Sequence, residues 1–236
     1  MTRCAFERLA LALGIALALV LSANAGRSAP PLPAPPLPAQ KNSPEAGEEQ
    51  PSPADPAAVA ALGPVARWLV IGPSNGWDHR VEGGSYVMSN TSGPAQAVRY
   101  FANPLPAGAT KVKVSAKVAI SPQPNAIAGA GLIYAFDRAA QTYFAVTIQA
   151  NDTVVTYVRG PGGLREMMRS STPGFLKDGV NEITIIGQGN TAAILVNGQA
   201  VGTLTNDLLT TTKGAGILAL GRGTFAFSAY SAEAVP

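Results

Sequence analysis

The chain has 236 residues, of which 47% are hydrophobic and 13% charged, and its 17 basic and 14 acidic side chains give a net charge of +3. So mild a charge argues against a nucleic-acid-binding protein. The single cysteine, Cys4, excludes an intrachain disulfide and a cysteine metal site.

The first 25 residues predict a signal peptide. Arg3 and Arg8 precede an apolar run at residues 9–21 that is too short to span a bilayer comfortably, and residues 23–25 (Ala-Asn-Ala) form a small-x-small cleavage site. We therefore predict cleavage after Ala25 and export to the periplasm or the extracellular medium. The mature chain would then have no membrane span. An uncleaved anchor is the alternative interpretation.

Residues 26–63 predict a disordered spacer rich in proline and alanine. Eleven of the 20 prolines fall between Pro30 and Pro64, and such a segment buries too little apolar surface to offset the entropy of ordering it. A polyproline-rich spacer of this kind holds a domain away from a membrane or wall. An unselected disordered tail explains the same composition equally well.

Residues 64–236 have the length of one domain, and their 13 basic and nine acidic side chains give a charge of +4. Period-two alternation, β-branched and aromatic residues and Gly/Asn/Asp turns predict a chain of short strands. A dozen or so strands without an amphipathic helix predict an all-β fold, an antiparallel two-sheet β-sandwich or jelly roll, with an up-and-down barrel as the alternative. The predicted strands are 67–71, 85–90, 95–101, 109–120, 130–137, 142–150, 153–159, 164–169, 180–187, 191–197, 199–204, 214–220 and 224–233.

Two local patterns support this fold. Asn197-Gly198 separates two apolar runs, and this dipeptide is the strongest short hairpin signal because both turn positions need a positive φ. In 109–120, Lys111, Lys113 and Lys117 alternate with apolar residues, which predicts one wet face and one core face. Lysines in such a row also protect an edge strand against association.

The order of short motifs along the domain resembles the concanavalin A-like lectin/glucanase superfamily, in particular its laminin-G-like and 3-keto-disaccharide-hydrolase-like domains. The resemblance implies a concanavalin A-like jelly roll over about residues 65–235, a fold that is used by enzymes, lectins and adhesion modules alike. It rests on Trp77, Gly83-Gly84-Ser85-Tyr86, KVKVSAKVAI (111–120), GLIY (131–134), YFAV (143–146), GVNEITI (179–185), ILVNG (194–198), GAGILA (214–219) and FAF (225–227).

The sequence contains few of the residue patterns that a hydrolase needs. Glycoside hydrolysis usually needs two facing carboxylates, and the Glu-x-Asp-x-x-Glu strand of the glucanase branch is absent from the sequence. Asp78, Asp137 and Glu166 remain as dispersed candidates. The sole histidine, His79, lies in a loop-like segment and has no Gly-x-Ser-x-Gly serine to serve, so a surface or partly packed role is expected. The enzyme question stays open, and the sequence leans towards no catalysis.

Outward-facing aromatic residues give the better argument for binding. Alternation along 143–149 sends Tyr143 and Gln149 to the face opposite the core, and Tyr157 and Arg159 share a face on the next strand. Tyr134 is a further candidate, because it shares one face of the preceding strand with Arg138. A sugar could stack on a tyrosine and hydrogen-bond to Arg or Gln. Core packing of some of these tyrosines is the alternative.

We therefore expect a non-enzymatic, exported module that recognises a polysaccharide or cell-envelope glycan. A glycoside hydrolase or lyase and a structural module that binds an envelope protein are the alternatives. No cofactor is predicted. Calcium, a familiar partner of laminin-G-like modules, is kept as an option because oxygen donors are available, although no Asp-x-Asp-x-Asp run occurs. The donors considered are Asp137, Asn151, Asp152 and Asp207.

Overall fold

A computed structural model describes residues 62, 66, 68–105, 107–171, 176, 178–211 and 213–236. The predicted signal peptide, and the predicted spacer apart from Leu62, lie outside the described residues. Within the described part of the chain, no helix is both long enough and apolar enough to cross a membrane.

The described residues form thirteen strands, with a short 3-10 helix at Asp207–Thr211. Neighbouring strands run antiparallel in every pair. The strands are β1 (Asp78–Glu82), β2 (Ser85–Asn90), β3 (Val98–Pro104), β4 (Lys111–Pro122), β5 (Ala128–Asp137), β6 (Thr142–Gln149), β7 (Thr153–Gly160), β8 (Gly163–Ser171), β9 (Val180–Gln188), β10 (Thr191–Val196), β11 (Gln199–Thr205), β12 (Gly214–Gly221) and β13 (Gly223–Ala234).

The strands build two sheets. Seven strands pair in the order β1-β2-β13-β4-β9-β10-β11, and six pair in the order β3-β12-β5-β6-β7-β8. Both sheets contribute one face to a shared apolar core, in which Tyr86, Met88 and Phe225 of the first sheet and Leu132 and Phe144 of the second are fully enclosed. The fold is therefore the predicted antiparallel two-sheet β-sandwich.

Strand β4 shows how the sequence separates core from surface. Val112, Val114, Ala116 and Val118 are buried between the sheets, and the intervening lysines lie on the outer face, as the alternation predicts. The expectation that these lysines protect an edge is wrong, because β4 lies between β13 and β9 in the sheet interior. Their role is to keep the outer face solvated.

The Asn197-Gly198 turn forms the predicted hairpin between β10 and β11. Both residues have a positive φ, 51° and 80°, as a two-residue turn requires. The Asn197 side chain also ties the turn to β9, because its Oδ1 accepts a hydrogen bond from the Glu182 amide at 2.9 Å. Its Nδ2 donates to Asn181 Oδ1 at 2.8 Å.

The first predicted strand is misplaced. Described residues 68–71 form no strand, and β1 occupies Asp78–Glu82 instead, in the segment that was expected to be a loop. This strand reads as polar because Asp78, Arg80 and Glu82 occupy its wet face at a sheet edge. His79 faces inward and is buried in the core, which corrects its expected place at or near the surface.

Candidate functional site on the six-stranded sheet

Strand β6 divides its side chains between the core and the outer face of the six-stranded sheet. Phe144, Val146 and Ile148 lie in the core between the sheets. Tyr143 and Gln149 alternate with them and therefore lie on the outer face. The outer face is consequently the place where the predicted binding residues of β6 and β7 meet.

An apolar cluster occupies this outer face, although one face of an antiparallel sheet commonly meets water. The cluster spans all six strands from β3 to β8, and partly exposed side chains pack over buried ones. This arrangement places aromatic rings on an apolar floor. We name it the outer cluster; its buried members are Ile133, Tyr143, Ala145, Leu218 and Leu220, and its covering members are Tyr100, Ala102, Phe136, Tyr157 and Leu164.

Three rings of the outer cluster are in mutual contact, and we call Tyr100, Phe136 and Tyr143 the aromatic patch. The ring centroids of Tyr100 and Tyr143 are 5.0 Å apart, those of Tyr100 and Phe136 5.7 Å, and those of Phe136 and Tyr143 6.4 Å. Tyr143 is only 2% exposed, so it supports the other two rings rather than offering its own face. Tyr100 and Phe136 present the accessible aromatic surface.

A polar network borders the outer cluster on the side of β7 and β8. Gln149 Nε2 donates to the Tyr157 hydroxyl at 2.6 Å, and Gln149 Oε1 accepts from Arg169 Nη1 at 3.1 Å. Arg169 also donates two hydrogen bonds to the Glu166 carboxylate, at 2.6 and 3.0 Å. We call Gln149, Tyr157, Glu166 and Arg169 the Gln149 network. It fixes the Tyr157 ring and gathers donors and acceptors at the surface.

Tyr143 and Tyr157 are protonated at neutral pH. Burial, and after it the neighbouring Tyr100, raise the pKa of Tyr143 to about 12. Burial, followed by the carboxylate of Glu166, raises the pKa of Tyr157. Both groups therefore keep their hydroxyl protons and act as hydrogen-bonding groups, not as nucleophiles or bases.

Two concavities adjoin the aromatic patch. One, of about 480 Å³, and another, of about 280 Å³, share Trp68, Phe136 and Arg138 in their walls. The first also includes Lys213, and the second Tyr100. The half-buried Trp68 thus adds a fourth ring to the same end of the face.

A further cavity of about 210 Å³ opens between the sheets. Its walls include Tyr86, Phe101, Phe227 and Tyr230, which belong to or pack against the core. The Tyr230 hydroxyl donates to Asn103 Oδ1 at 2.8 Å. This cavity lies on the core side of the sheets, and the rings of the aromatic patch are not among the residues that line it.

The structure brings four of the five predicted binding residues to the outer face. Tyr143, Gln149 and Tyr157 have the contacts given above, and Arg159 is exposed opposite Tyr143 in the β6–β7 register. Tyr134 is different, because it is buried in the core and approaches Gly187 of the other sheet so closely that a Cβ there would overlap its phenol ring. We therefore leave Tyr134 out of the candidate site.

The acids considered for catalysis are each paired with a cation. Asp78 Oδ2 lies 3.2 Å from Arg80, Asp137 Oδ2 lies 2.6 Å from Lys213, and Glu166 is held by Arg169. The hydrogen bond from Lys213, with those from two backbone amides, lowers the pKa of Asp137. A general acid needs the opposite shift, so the surroundings of Asp137 do not suit it to that role.

The oxygen donors considered for calcium have other partners or lie apart. Asp137 accepts hydrogen bonds from Lys213 and from the amides of Ala139 and Ala140. Asn151 Oδ1 accepts from Thr153 at 2.7 Å. Within the described ranges, no three His, Cys, Asp or Glu side chains are grouped so that they could hold a metal ion.

Several residues of the outer face are not among the sequence predictions. None of them lies on β6 or β7, and they are Tyr100, Phe136, Trp68 and Arg169. The alternation of β3, with Phe101 towards the core and Tyr100 away from it, is a usable signal for Tyr100. The sequence carries no comparable signal that β3, β12 and β5 lie side by side, because this order depends on the sheet topology.

The comparisons with known proteins show a similarity of fold. No protein-family model matches the chain, and no curated protein does. The carbohydrate recognition domain of Emp46p in its metal-free form is similar at 7% identity, with 68% of this chain and 87% of that chain covered and a TM-score of 0.52. A functionally unknown protein from Saccharomyces cerevisiae is similar at 14% identity, with 72% and 96% covered and a TM-score of 0.51. The carbohydrate-binding module CBM66 from Bacillus subtilis gives 14% identity, 70% and 99% coverage and a TM-score of 0.49.

Proposed function

We propose that this domain is a binding module that recognises a glycan on the outer face of its six-stranded sheet. The observation that carries the proposal is the aromatic patch bordered by the Gln149 network. Sugar rings combine apolar C–H faces with hydroxyl groups, so they bind where an aromatic ring lies beside side-chain donors and acceptors. This face supplies both, through Tyr100 and Tyr157 on one hand and Gln149 and Arg169 on the other.

The shared fold supports the proposal at a coarse level. Emp46p has a carbohydrate recognition domain with the same sandwich architecture, although a fold of this kind serves many functions. The chemistry of the outer face is therefore the main argument. As the finer assignment, we propose that the domain is a concanavalin A-like lectin module.

Export and presentation complete the proposed function. Residues 1–25 would direct the chain out of the cytoplasm, and residues 26–63 would hold the domain at a distance from the membrane or wall. The glycan would then be an envelope or extracellular polysaccharide. Localisation of the chain by cell fractionation tests this part separately from binding.

The test is binding of the full-length chain to a broad panel of immobilised glycans. We expect at least one specific interaction, and we expect Tyr157→Ala to weaken it about tenfold, which corresponds to ~1.4 kcal/mol. Tyr157→Phe keeps the ring but removes the hydroxyl that binds Gln149, so it should weaken binding less.

A matched control lies on the other sheet. Leu195 is a half-buried residue on the outer face of β10, and Leu195→Ala should leave glycan affinity unchanged. Equal losses in the Tyr157 and Leu195 variants would show that folding, not binding, has been disturbed. Silence of the correctly folded chain across the whole panel would overturn the proposal.

A further inference from the structure

The charges on the outer face of the six-stranded sheet do not balance. The two acids of this region are already engaged, Asp137 by Lys213 and Glu166 by Arg169. Arg138 and Arg159 are both exposed, and in the part of the chain that the structure describes neither guanidinium has a hydrogen bond or an ion pair. Two cations are therefore left over beside the aromatic patch.

Both cations lie at the same end of the sheet as the aromatic patch. Arg159 is opposite Tyr143 in the β6–β7 register, and its charge lowers the pKa of Tyr143 against the larger, raising effect of burial. Arg138 follows β5 in the turn to β6 and contributes to both concavities beside Phe136. A molecule lying on the aromatic patch would thus have a guanidinium within reach from the β5–β6 turn and another from β7.

The seven-stranded sheet offers a contrast. Arg80 on β1 contacts both Asp78 and Glu82, at 3.2 and 2.9 Å, and Lys113 lies 3.8 Å from Glu233. Arg80 and Lys113 are thus at least partly neutralised by neighbouring acids. The contrast is partial, because Lys117 on the same face is exposed and has no ion pair in the described part of the chain. Exposed basic side chains are common, but two guanidiniums without an acidic partner beside the aromatic patch make this site electrostatically complementary to an anionic ligand.

We infer that the glycan is acidic, with carboxylate or sulfate groups on its sugar rings that bind Arg138 and Arg159 while a ring packs on the aromatic patch. This inference rests on the proposed glycan-binding function and names its ligand class. Planar guanidinium groups bind carboxylates and sulfates through paired hydrogen bonds, and such charge-assisted bonds are about twice as strong as neutral ones. Hydrogen bonds from the same groups to the hydroxyls of a neutral sugar are weaker.

Matched polysaccharide pairs provide the test. The full-length chain is titrated with polygalacturonate and its carboxyl-reduced counterpart, and with dextran sulfate and dextran. The two members of each pair share a backbone and differ in charge. Tighter binding to the charged member of a pair supports the inference, and the pair that responds distinguishes carboxylate from sulfate. We expect a difference of tenfold or more, declining as salt is raised from low to physiological concentration.

Variants separate a specific site from general attraction. Arg159→Gln and Arg138→Gln should each weaken binding of the charged polysaccharide about tenfold, as loss of ~1.4 kcal/mol predicts, and weaken binding of its neutral counterpart to a clearly smaller extent. Arg159→Lys keeps the charge but not the planar guanidinium, so its affinity for the charged polysaccharide should lie between those of the unchanged chain and Arg159→Gln. The control is Lys117→Gln, which removes one positive charge from the outer face of the other sheet and should change nothing.

The outcomes are distinguishable from those of the glycan-binding test. Equal binding to both members of each pair, or specific binding to a neutral glycan alone, overturns the acidic ligand and leaves glycan binding intact. An equal loss in the Lys117 and Arg159 variants also overturns it, because attraction would then depend on net charge only. Failure to bind any charged or neutral glycan overturns both.

Discussion

His79 is a titratable residue enclosed by aromatic rings. Its ring stacks on Tyr86 with centroids 6.0 Å apart and meets the edge of Phe101 at 5.5 Å. The Tyr86 hydroxyl donates to the Val70 carbonyl at 2.9 Å, so the contact of 3.0 Å between this hydroxyl and His79 Nδ1 assigns the ring proton to Nδ1. A neutral histidine fits these contacts. A charged one would bring an uncompensated cation into the core.

Stability should therefore fall when the medium is made mildly acidic. Burial, and after it the charge of Arg99, lower the pKa of His79 below its ordinary value of 6.5. The unfolded chain then binds the proton more readily than the folded one, so the contribution is complete above pH 6.5 and is lost as the pH falls towards the folded pKa. Urea unfolding at pH 7.5 and 5.5 measures the loss. In His79→Phe, which cannot titrate, we expect this part of the pH dependence to disappear; an unaltered slope would contradict the assignment.

Asn90 is a fully buried amide with all its bonds made to the backbone. Its Nδ2 donates to the carbonyls of Gly221 and Pro94, at 2.7 and 3.2 Å, and its Oδ1 accepts from the Gly93 amide at 2.9 Å. Asn90→Ala should cost about 2–3 kcal/mol, because buried backbone groups lose their partners. Chemical denaturation measures the change. Gln188→Ala, at an exposed position at the end of β9, should be close to neutral.

At the level of elements, glycine permits close contact between strands β12 and β3. A Cβ built at Gly216 would overlap the carbonyl oxygen of Phe101 on β3. Gly216→Ala should therefore push the two strands apart and destabilise the domain by about 1–3 kcal/mol or more. Gly162→Ala is the matched control, since a Cβ there meets nothing within 4 Å. Equal urea midpoints for the two variants would show that β12 and β3 adjust without cost.

The elements also show which inferences a single sequence supports. Alternation predicts β4, β6 and β7 because one face of each meets the core and the other does not. It fails for Tyr134, which was grouped with Arg138 on one face. Within β5, Leu132 and Tyr134 both face the core, and a bulge with a positive φ of 54° at Ala135 then turns Phe136 to the outer face. A bulge of this kind shifts the alternation without leaving a clear sequence signal.

The aromatic patch shows a second limit of prediction from a single sequence. Tyr143 is predictable from its own strand, whereas its neighbour Tyr100 is more than 40 positions earlier, on β3. The two rings meet because β12 lies between β3 and β5, and this order results from strand pairing over long sequence separations. The site was therefore predictable on the strands that are adjacent in sequence and not across the rest of the sheet.

At the scale of the whole molecule, the last strand is an interior one. β13 lies between β2 and β4, and its pairing with both sides closes the seven-stranded sheet. Removal of residues 223–236 should therefore prevent folding, because it withdraws Phe225 and Phe227 from the core and leaves β2 and β4 each with only one neighbouring strand. Circular dichroism and solubility measure the outcome. A chain that lacks just Val235 and Pro236 should still fold, because it loses little beyond the contacts of these two residues with Lys111. A folded chain of residues 1–222 would contradict this account.

The interior place of β13 has a consequence for the timing of folding. Chains are synthesised from the N-terminus, and many domains begin to fold as they emerge. Here β2 and β4 emerge early but cannot be joined into one sheet until the final strand is released. The nascent domain therefore remains an incomplete sandwich until β13 has emerged. In that state its unpaired strand edges are exposed, which makes it a client for chaperones until β13 is in place.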